Sequence, residues 1–388
     1  MRACTACNTP PNEQRHDFTA LLPSMKGLSI VHTEASLGWG GQELRILAES
    51  QGLMRRGHDI RLICPPEARI YAEAPAWGLP VIAAPIGKKR LVGVKCMLEW
   101  FRHNRCDVVS THSSTDSWLA ALALLALRRP FPMVRTRHIS APVSKSFLSR
   151  WLYTRATSRI VTAGEALRRE LIERNGFPAA RIDSVPTGID TARFRPGDRA
   201  AARKTLGLPA TRPLVGIVAT LRSWKGHLHL IEAVAGLPET VSLVVVGDGP
   251  MREQLEAKVD QLGLRARTVF AGNRTDVVPW LQAIDVFALP SYANEGVPQA
   301  LVQAMLTGLA CVTTGVGSIA EVALDGKTAL VVPPKDPAAL RAALSRLLDD
   351  GVLRMQLGEA ARAHCAANFS QERMLDDMEK IYLQASRR

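Results

Sequence analysis

The chain has 388 residues, enough for two domains of ordinary size. Hydrophobic residues make up 47% and charged residues 22%; with no low-complexity tract, that balance excludes a disordered or fibrous protein. The longest apolar run, residues 118–127, stops at Arg128-Arg129-Pro130, short of the roughly 18–20 residues that cross a bilayer, and reads as a buried helix.

The formal net charge of +13 is unevenly spread: residues 1–195 hold 28 Lys and Arg against 16 Asp and Glu, and the rest hold 21 against 20. A basic first half favours an anionic partner there, such as a membrane surface, a diphosphate-bearing lipid or an acidic glycan. Aromatic residues are only 5%, and no zinc-finger, RRM-like or helix-turn-helix signature is present, so no nucleic-acid partner is expected. The N-terminus lacks a hydrophobic signal core, and the seven cysteines are scattered, which fits a cytoplasmic protein with reduced thiols. Cys4 and Cys7 form a CxxC without a second ligand pair, inside a polar stretch, 1–24, read as a disordered extension.

Residues 28–33 read as the first strand. Leu37-Gly38-Trp39-Gly40-Gly41-Gln42 follows, then a helix over 43–56 closed by Gly57. Strand, glycines and helix in succession bring backbone close to a ligand or a packed neighbour. Further strands fall at 59–64, 81–84, 108–111, 133–137 and 159–163, the last ending the first sheet. Helices alternate with them and no hairpin turn intervenes, so the sheet is parallel and doubly wound. Ligands of such sheets sit beyond the carboxyl ends of the strands, where His112 and His138 stand. Lys88-Lys89-Arg90 forms one basic cluster with Lys95. A second, 145–159, reads as one helix mixing Lys145, Arg150, Arg155 and Arg159 with Phe147, Leu148, Trp151, Leu152 and Tyr153. Such a helix suits a membrane interface, or a core contact with its cations in water.

Gly164-Glu165-Ala166 opens another helix. The Pro/Gly-rich stretches Val185-Pro186-Thr187-Gly188-Ile189-Asp190 and Arg195-Pro196-Gly197-Asp198 mark a domain boundary. Strand 214–219 then enters the loop Thr220 to His227, and a helix starts near Leu228. Arg222 and Lys225 in that loop can clamp a diphosphate, Arg as a fork and Lys as a point charge. Strand 242–246 runs into Gly247-Asp248-Gly249-Pro250, and strand 268–270 precedes Asn273 and Arg274. Strand 285–289 breaks at Pro290 into a polar loop with one carboxylate, Glu295, and a helix starts near Pro298, in whose first turn proline is tolerated, and ends at Gly308. The N–H groups of Gln299 and Ala300 in its first turn can point at phosphate, helped by the helix dipole. Glu295 beside them is suited to hydrogen-bonding hydroxyls or to facing developing positive charge. Strands 311–314 and 329–332 and helices from Pro337 complete the chain.

Glu295-Gly296-Val297-Pro298, with Gln303 eight positions after Glu295 and then Ala304-Met305, resembles the donor-sugar motif of the retaining family 4 glycosyltransferases, which have the GT-B fold. The likeness runs from about residue 28 to the end and is most specific over 214–305, where Lys225-Gly226 and the Gly247 loop also match. It departs at Gln303, where the family usually has Glu, and at Thr220, where many members have Arg. Gln keeps hydrogen-bonding capacity without charge, and Arg222 stands two positions from the missing Arg.

The resemblance implies an α/β protein with two Rossmann-like, doubly wound domains facing a cleft. Residues 25–192 would bind the acceptor and 193–370 the nucleotide sugar, with a helix in 371–388 crossing back. It implies catalytic roles for Glu295, His138, Lys225 and Arg222. Donor contacts would come from Gly40, Gly41, Thr220, Gly247, Asn273, Arg274, Gln299, Ala300 and Gln303, and the acceptor side would include His112, Lys88, Lys89 and Arg90. The leaving phosphate would take the acceptor's proton on the same face, with double displacement through Glu295 as the alternative. No cofactor or metal is expected; a UDP- or GDP-linked sugar is the substrate. The expected function is metal-independent sugar transfer to a glycan or lipid-linked acceptor in bacterial cell-surface polysaccharide or lipopolysaccharide synthesis, with peripheral contact at the inner face of the cytoplasmic membrane. A nucleotide-sugar epimerase, a phosphorylase and a non-catalytic sugar-nucleotide-binding subunit stay open on sequence alone.

Overall fold

Two parallel sheets carry the chain. The computed structural model describes residues 27–138 and 142–387; the extension 1–24 with Cys4 and Cys7 lies outside the described residues. The first sheet comprises β1 (Ser29–Thr33), β2 (Asp59–Cys64), β3 (Val81–Ala83), β4 (Val108–Thr111), β5 (Met133–Arg137), β6 (Arg159–Thr162) and β7 (Ile182–Ser184), in the order β3-β2-β1-β4-β5-β6-β7. The second comprises β8 (Leu214–Val218), β9 (Ser242–Val246), β10 (Thr268–Gly272), β11 (Val286–Leu289), β12 (Ala310–Thr314) and β13 (Leu330–Val332), in the order β10-β9-β8-β11-β12-β13. Strand order reverses at β1/β4 in one and at β8/β11 in the other, and the crevice at such a reversal is where open α/β sheets take their ligands.

Alternation along the strands assigns the two faces of the first sheet. Ile30, Leu62, Val108, Val134 and Val161 share one apolar cluster; their neighbours Val31, Ile63, Val109, Met133 and Ile160 share another. The first cluster also holds Met374, Leu375, Met378, Ile381 and Tyr382 of the helix Gln371–Ser386. The end of the chain thus returns to the first sheet, and its apolar face is covered there rather than by the second domain. The second sheet has its own core, running from Ile189 to Phe369.

Three expectations need correction. The first sheet does not end at residue 163: β7 pairs with β6 at its edge. Ile182-Asp183-Ser184 has too little apolar pattern to read as a strand, and Arg159 reaching across to Asp183, at 2.6 Å, ties it down. Residues 145–159 are not one helix but an α-helix, Phe147–Trp151, followed by a π-turn, Leu152–Ala156. The wide turn gives the following Thr157 an N–H bond to Leu152 O and turns the chain into β6. Pro298 lies just outside the helix Gln299–Leu306 as its N-cap, with extended backbone.

Candidate active site

The carboxyl ends of β1, β4 and β5 each carry a histidine, and because these strands are adjacent the three rings meet. His32 Nδ1 lies 2.8 Å from His112 Nε2, and His112 Nδ1 lies 3.1 Å from His138 Nε2. The His32 and His112 rings stack, with centroids 5.1 Å apart. His32 follows Ile30 on the face covered by the last helix, so its ring meets the edge of Tyr382. The Tyr382 hydroxyl donates to Glu49 Oε1 at 2.7 Å and lies 2.9 Å from Ser110 Oγ. Burial lowers the pKa of all three histidines, those of His112 and His138 well below 6.5. They are therefore neutral imidazoles at pH 7. His112, expected on the acceptor side, is buried between the other two rings, because β4 lies in the middle of the sheet, and both its ring nitrogens face the neighbouring histidines.

Two buried carboxyls stand next to this chain. Asp116 accepts from Thr33 Oγ1 and the His112 N–H. Glu34 accepts from the Ser36 N–H and the Gln42 amide. Burial raises both, Glu34 well above the usual carboxylate range, where the nearby Asp116 adds to the effect.

The second domain places charges on loops. Lys225 Nζ donates to both oxygens of Glu295, at 2.7 and 2.9 Å. The Tyr292 N–H donates to Trp224 O at 2.8 Å, fastening the two loops together. Gly317, at φ +61°, lies so close to Glu295 O that a side-chain carbon there would overlap it. Glu295 is thus buried while Lys225 keeps partial exposure. Next comes the helix Gln299–Leu306, in which Leu301 and Val302 already donate to Pro298 O. The N–H groups of Gln299 and Ala300 precede those bonds and have no acceptor within the helix. His227, after Lys225, is lowered to about 3 by burial and then by Lys225.

The two edges touch. The Gln299 side-chain amide donates to Gly41 O at 2.6 Å, and the Val297 N–H donates to Ala163 O at 3.2 Å. Gly296 packs against His138, where an added carbon would come within 3.3 Å of its carbonyl oxygen. Glu321 Oε1 accepts the N–H groups of Glu165 and Ala166 across the cleft, at 2.8 and 3.2 Å. Glu295, His138, Lys225, Gln299, Ala300 and Gly41 are therefore brought to one place.

Other expected residues lie further out. Gln303 is half-buried one turn along the helix from Gln299. Thr220, Asn273 and Arg274 are exposed at the ends of β8 and β10, and Gly247 follows β9. Arg222 is exposed over the Trp224 ring, and Arg274 lies over Trp280. Lys88, Lys89 and Arg90 form an exposed rim, with Lys89 Nζ 3.3 Å from Ser114 Oγ. Sequence reasoning missed His32, Glu34, Asp116 and Glu321. For His32 the signal lies in the strand order and not in the local sequence: β2-β1-β4-β5 makes strand-end residues of β1, β4 and β5 neighbours.

Comparison with known proteins agrees with the two-sheet fold. Residues 39–193 match the model of Glycosyltransferase Family 4, and residues 198–364 match that of Glycosyl transferases group 1. A D-inositol 3-phosphate glycosyltransferase of Xylanimonas cellulosilytica is 30% identical over 395 residues, covering 90% of this chain and 93% of that protein. The crystal structure of Anabaena HepE in complex with UDP-glucose superposes with a TM-score of 0.83 at 22% identity, over 92% of this chain and 100% of that one. WaaG, a glycosyltransferase involved in lipopolysaccharide biosynthesis, superposes with a TM-score of 0.70 at 20% identity, over 89% and 98%. The chain belongs to the family 4 glycosyltransferases of the GT-B fold and is an enzyme that transfers sugar.

Proposed function

We propose that the enzyme takes a UDP-linked sugar in its second domain and passes the sugar, with retention, to a glycan or lipid-linked acceptor in its first. The observation that carries this reading is the Lys225–Glu295 pair at the opening of the helix Gln299–Leu306. A diphosphate arriving there meets Lys225, Arg222 and the free N–H groups of the helix start, all suited to the charge that grows on the leaving group. Lys225 exchanges Glu295 for phosphate, and the freed carboxylate faces the sugar ring. There it orients hydroxyls and offsets oxocarbenium charge. The C1–O bond to phosphate breaks, the acceptor oxygen bonds to C1 on the same face, and its proton passes to the departing phosphate. His138 contributes a neutral hydrogen bond to the sugar. UDP is chosen over GDP because the similar Anabaena structure holds UDP-glucose.

The acceptor half of the reading rests on charge. No helix among the described residues is long and apolar enough to cross a membrane. Exposed Leu91 and Val92 adjoin Lys88, Lys89 and Arg90, and exposed Phe147 and Leu148 adjoin Lys145. Apolar and basic side chains mixed on a surface suit peripheral contact with an anionic leaflet, in keeping with a role in cell-surface polysaccharide or lipopolysaccharide synthesis. A thermal-shift screen over nucleotide sugars tests the donor: UDP-sugars should raise Tm, and a response to GDP-sugars alone overturns the choice. The anomeric configuration of the product, read by NMR, tests retention. Failure to float with anionic vesicles at low salt overturns the membrane contact.

A further inference from the structure

We propose that His32 and His112 are positioning residues, forming with His138 a chain of imidazoles that locks the cleft histidine in one tautomer, Nε2–H with a bare Nδ1. The proposal rests on the reading of His138 as the residue that contacts the sugar. It goes beyond that reading by saying which atom His138 offers and what fixes the choice.

The count of protons sets the problem. Each N···N contact in the chain needs one proton between its two nitrogens, one ring donating and the other accepting. Three neutral rings supply three protons to six nitrogens. Two protons lie within the two contacts, between His32 and His112 and between His112 and His138. The third must sit at an end, on His32 Nε2 or on His138 Nδ1. The rings cannot choose separately, so the tautomer of His138 is settled two rings away, inside the sheet.

The charges around the chain select one end. At the inner end, His32 Nε2 is buried without a hydrogen-bond partner among the described residues. The charged groups there are Glu49 and Arg45, and at His32 the carboxylate outweighs the guanidinium. Glu49 Oε2 faces Arg45 Nε at 3.5 Å and has no hydrogen bond of its own, and Glu49 Oε1 is taken by Tyr382. At the outer end, Arg45 and Arg137 both add positive charge at His138. Negative charge inside and positive charge outside draw every N–H inward. His138 Nε2 then donates to His112 Nδ1, His112 Nε2 donates to His32 Nδ1, and the third proton lies on His32 Nε2. His138 Nδ1 is left as a lone pair that accepts from a hydroxyl. A fourth proton on the chain would make an imidazolium in a cavity that disfavours charge, so His138 acts as a fixed acceptor and not as a general base.

The test combines a spectrum with kinetics on the full chain. Long-range ¹H–¹⁵N spectra of ¹⁵N-histidine protein at pH 7.5, without ligand, should show His138 protonated at Nε2 and bare at Nδ1. His32→Leu removes the acceptor for His112 Nε2–H; kcat should fall roughly 10–100-fold with the donor KM little changed, and the His138 nitrogens should move to tautomer-averaged shifts. His32→Asn puts an amide oxygen near the Nδ1 position and should restore both. A wild-type spectrum with His138 protonated at Nδ1 overturns the proposal, as does a His32→Leu enzyme with unchanged kcat and a single His138 tautomer. If His32→Leu does not fold, the wild-type spectrum and His32→Asn still decide. Should His138→Ala leave transfer intact, the sugar-contact reading fails, while the spectrum still reports on the chain itself.

Discussion

On the first-domain wall of the cleft the polar groups stand at strand ends, buried and bonded to one another. On the second-domain wall they stand on loops and at a helix start, as an ion pair with partial access to solvent. The difference follows from what each wall must do. Groups anchored by adjacent strands have one geometry, so they suit a contact that does not change during the reaction. A lysine on a loop can leave one anion for another at modest cost, so it suits the step in which a diphosphate arrives and departs. Low dielectric strengthens the first kind of contact and would penalise the second, which is why the charges are not buried equally.

The sharpest way to break this contrast is to separate the partners of the ion pair. Glu295→Ala should cut kcat roughly 10²–10³-fold while UDP still raises Tm, because Lys225 is freed for phosphate. Lys225→Ala should lose both turnover and the UDP shift. If the two variants lose UDP binding equally, the carboxylate also holds the diphosphate and the division of labour fails.

Acid should sharpen the contrast from the other side. The three chain histidines lie below 6.5 and His227 lies at about 3, so the folded chain leaves them neutral where the unfolded chain protonates them. Stability is therefore lost as pH falls below 6.5, by at most about 1.4 kcal/mol per pH unit for each group. Glu34 and Asp116 work in the opposite sense. Their raised carboxyls keep a proton in the folded chain, and that contribution fades as pH rises through their folded values. Four histidines against two acids leave a net loss, so calorimetry should give a lower Tm at pH 5 than at pH 7.5. A Tm that stays flat or rises on acidification would mean that the histidine wall is not neutral.

Most strands were readable because apolar, β-branched runs such as Val108-Val109 and Leu243-Val244-Val245-Val246 are bounded by loops. β7 was not, since one isoleucine beside Asp183 and Ser184 gives no period. The π-turn at Leu152–Ala156 was hidden because Phe147, Leu148, Trp151 and Leu152 keep helical spacing up to the point where the turn widens. In the site, Glu295 and Lys225 were visible through the loops that bear them, yet nothing local says that they bind each other across 70 positions. His32 looked like one polar residue in a buried strand. Only the order of strands in the sheet, a tertiary fact, makes it the third ring.

Glu321 was invisible for the same reason, and it joins the two walls. The helix Glu165–Glu173 begins at Gly164, which has no side chain to cap it. Glu321, from the other domain, supplies the missing acceptor to the first N–H groups. A cap contributes about 1 kcal/mol, and a carboxylate at a helix start lies in the favourable direction of the dipole. Glu321→Ala should therefore weaken the touching arrangement of the walls by about 1 kcal/mol, roughly fivefold in its population. Hydrogen exchange at the Glu165 and Ala166 amides should speed up by that factor, and the donor KM should rise by a similar one. Neither His138 nor Glu295 touches this carboxylate through a side chain, so kcat at saturating donor should hold. A collapse of kcat would assign Glu321 to the reaction itself, and unchanged exchange at the two amides would mean that the two walls are held together elsewhere, at Gln299–Gly41 and Val297–Ala163.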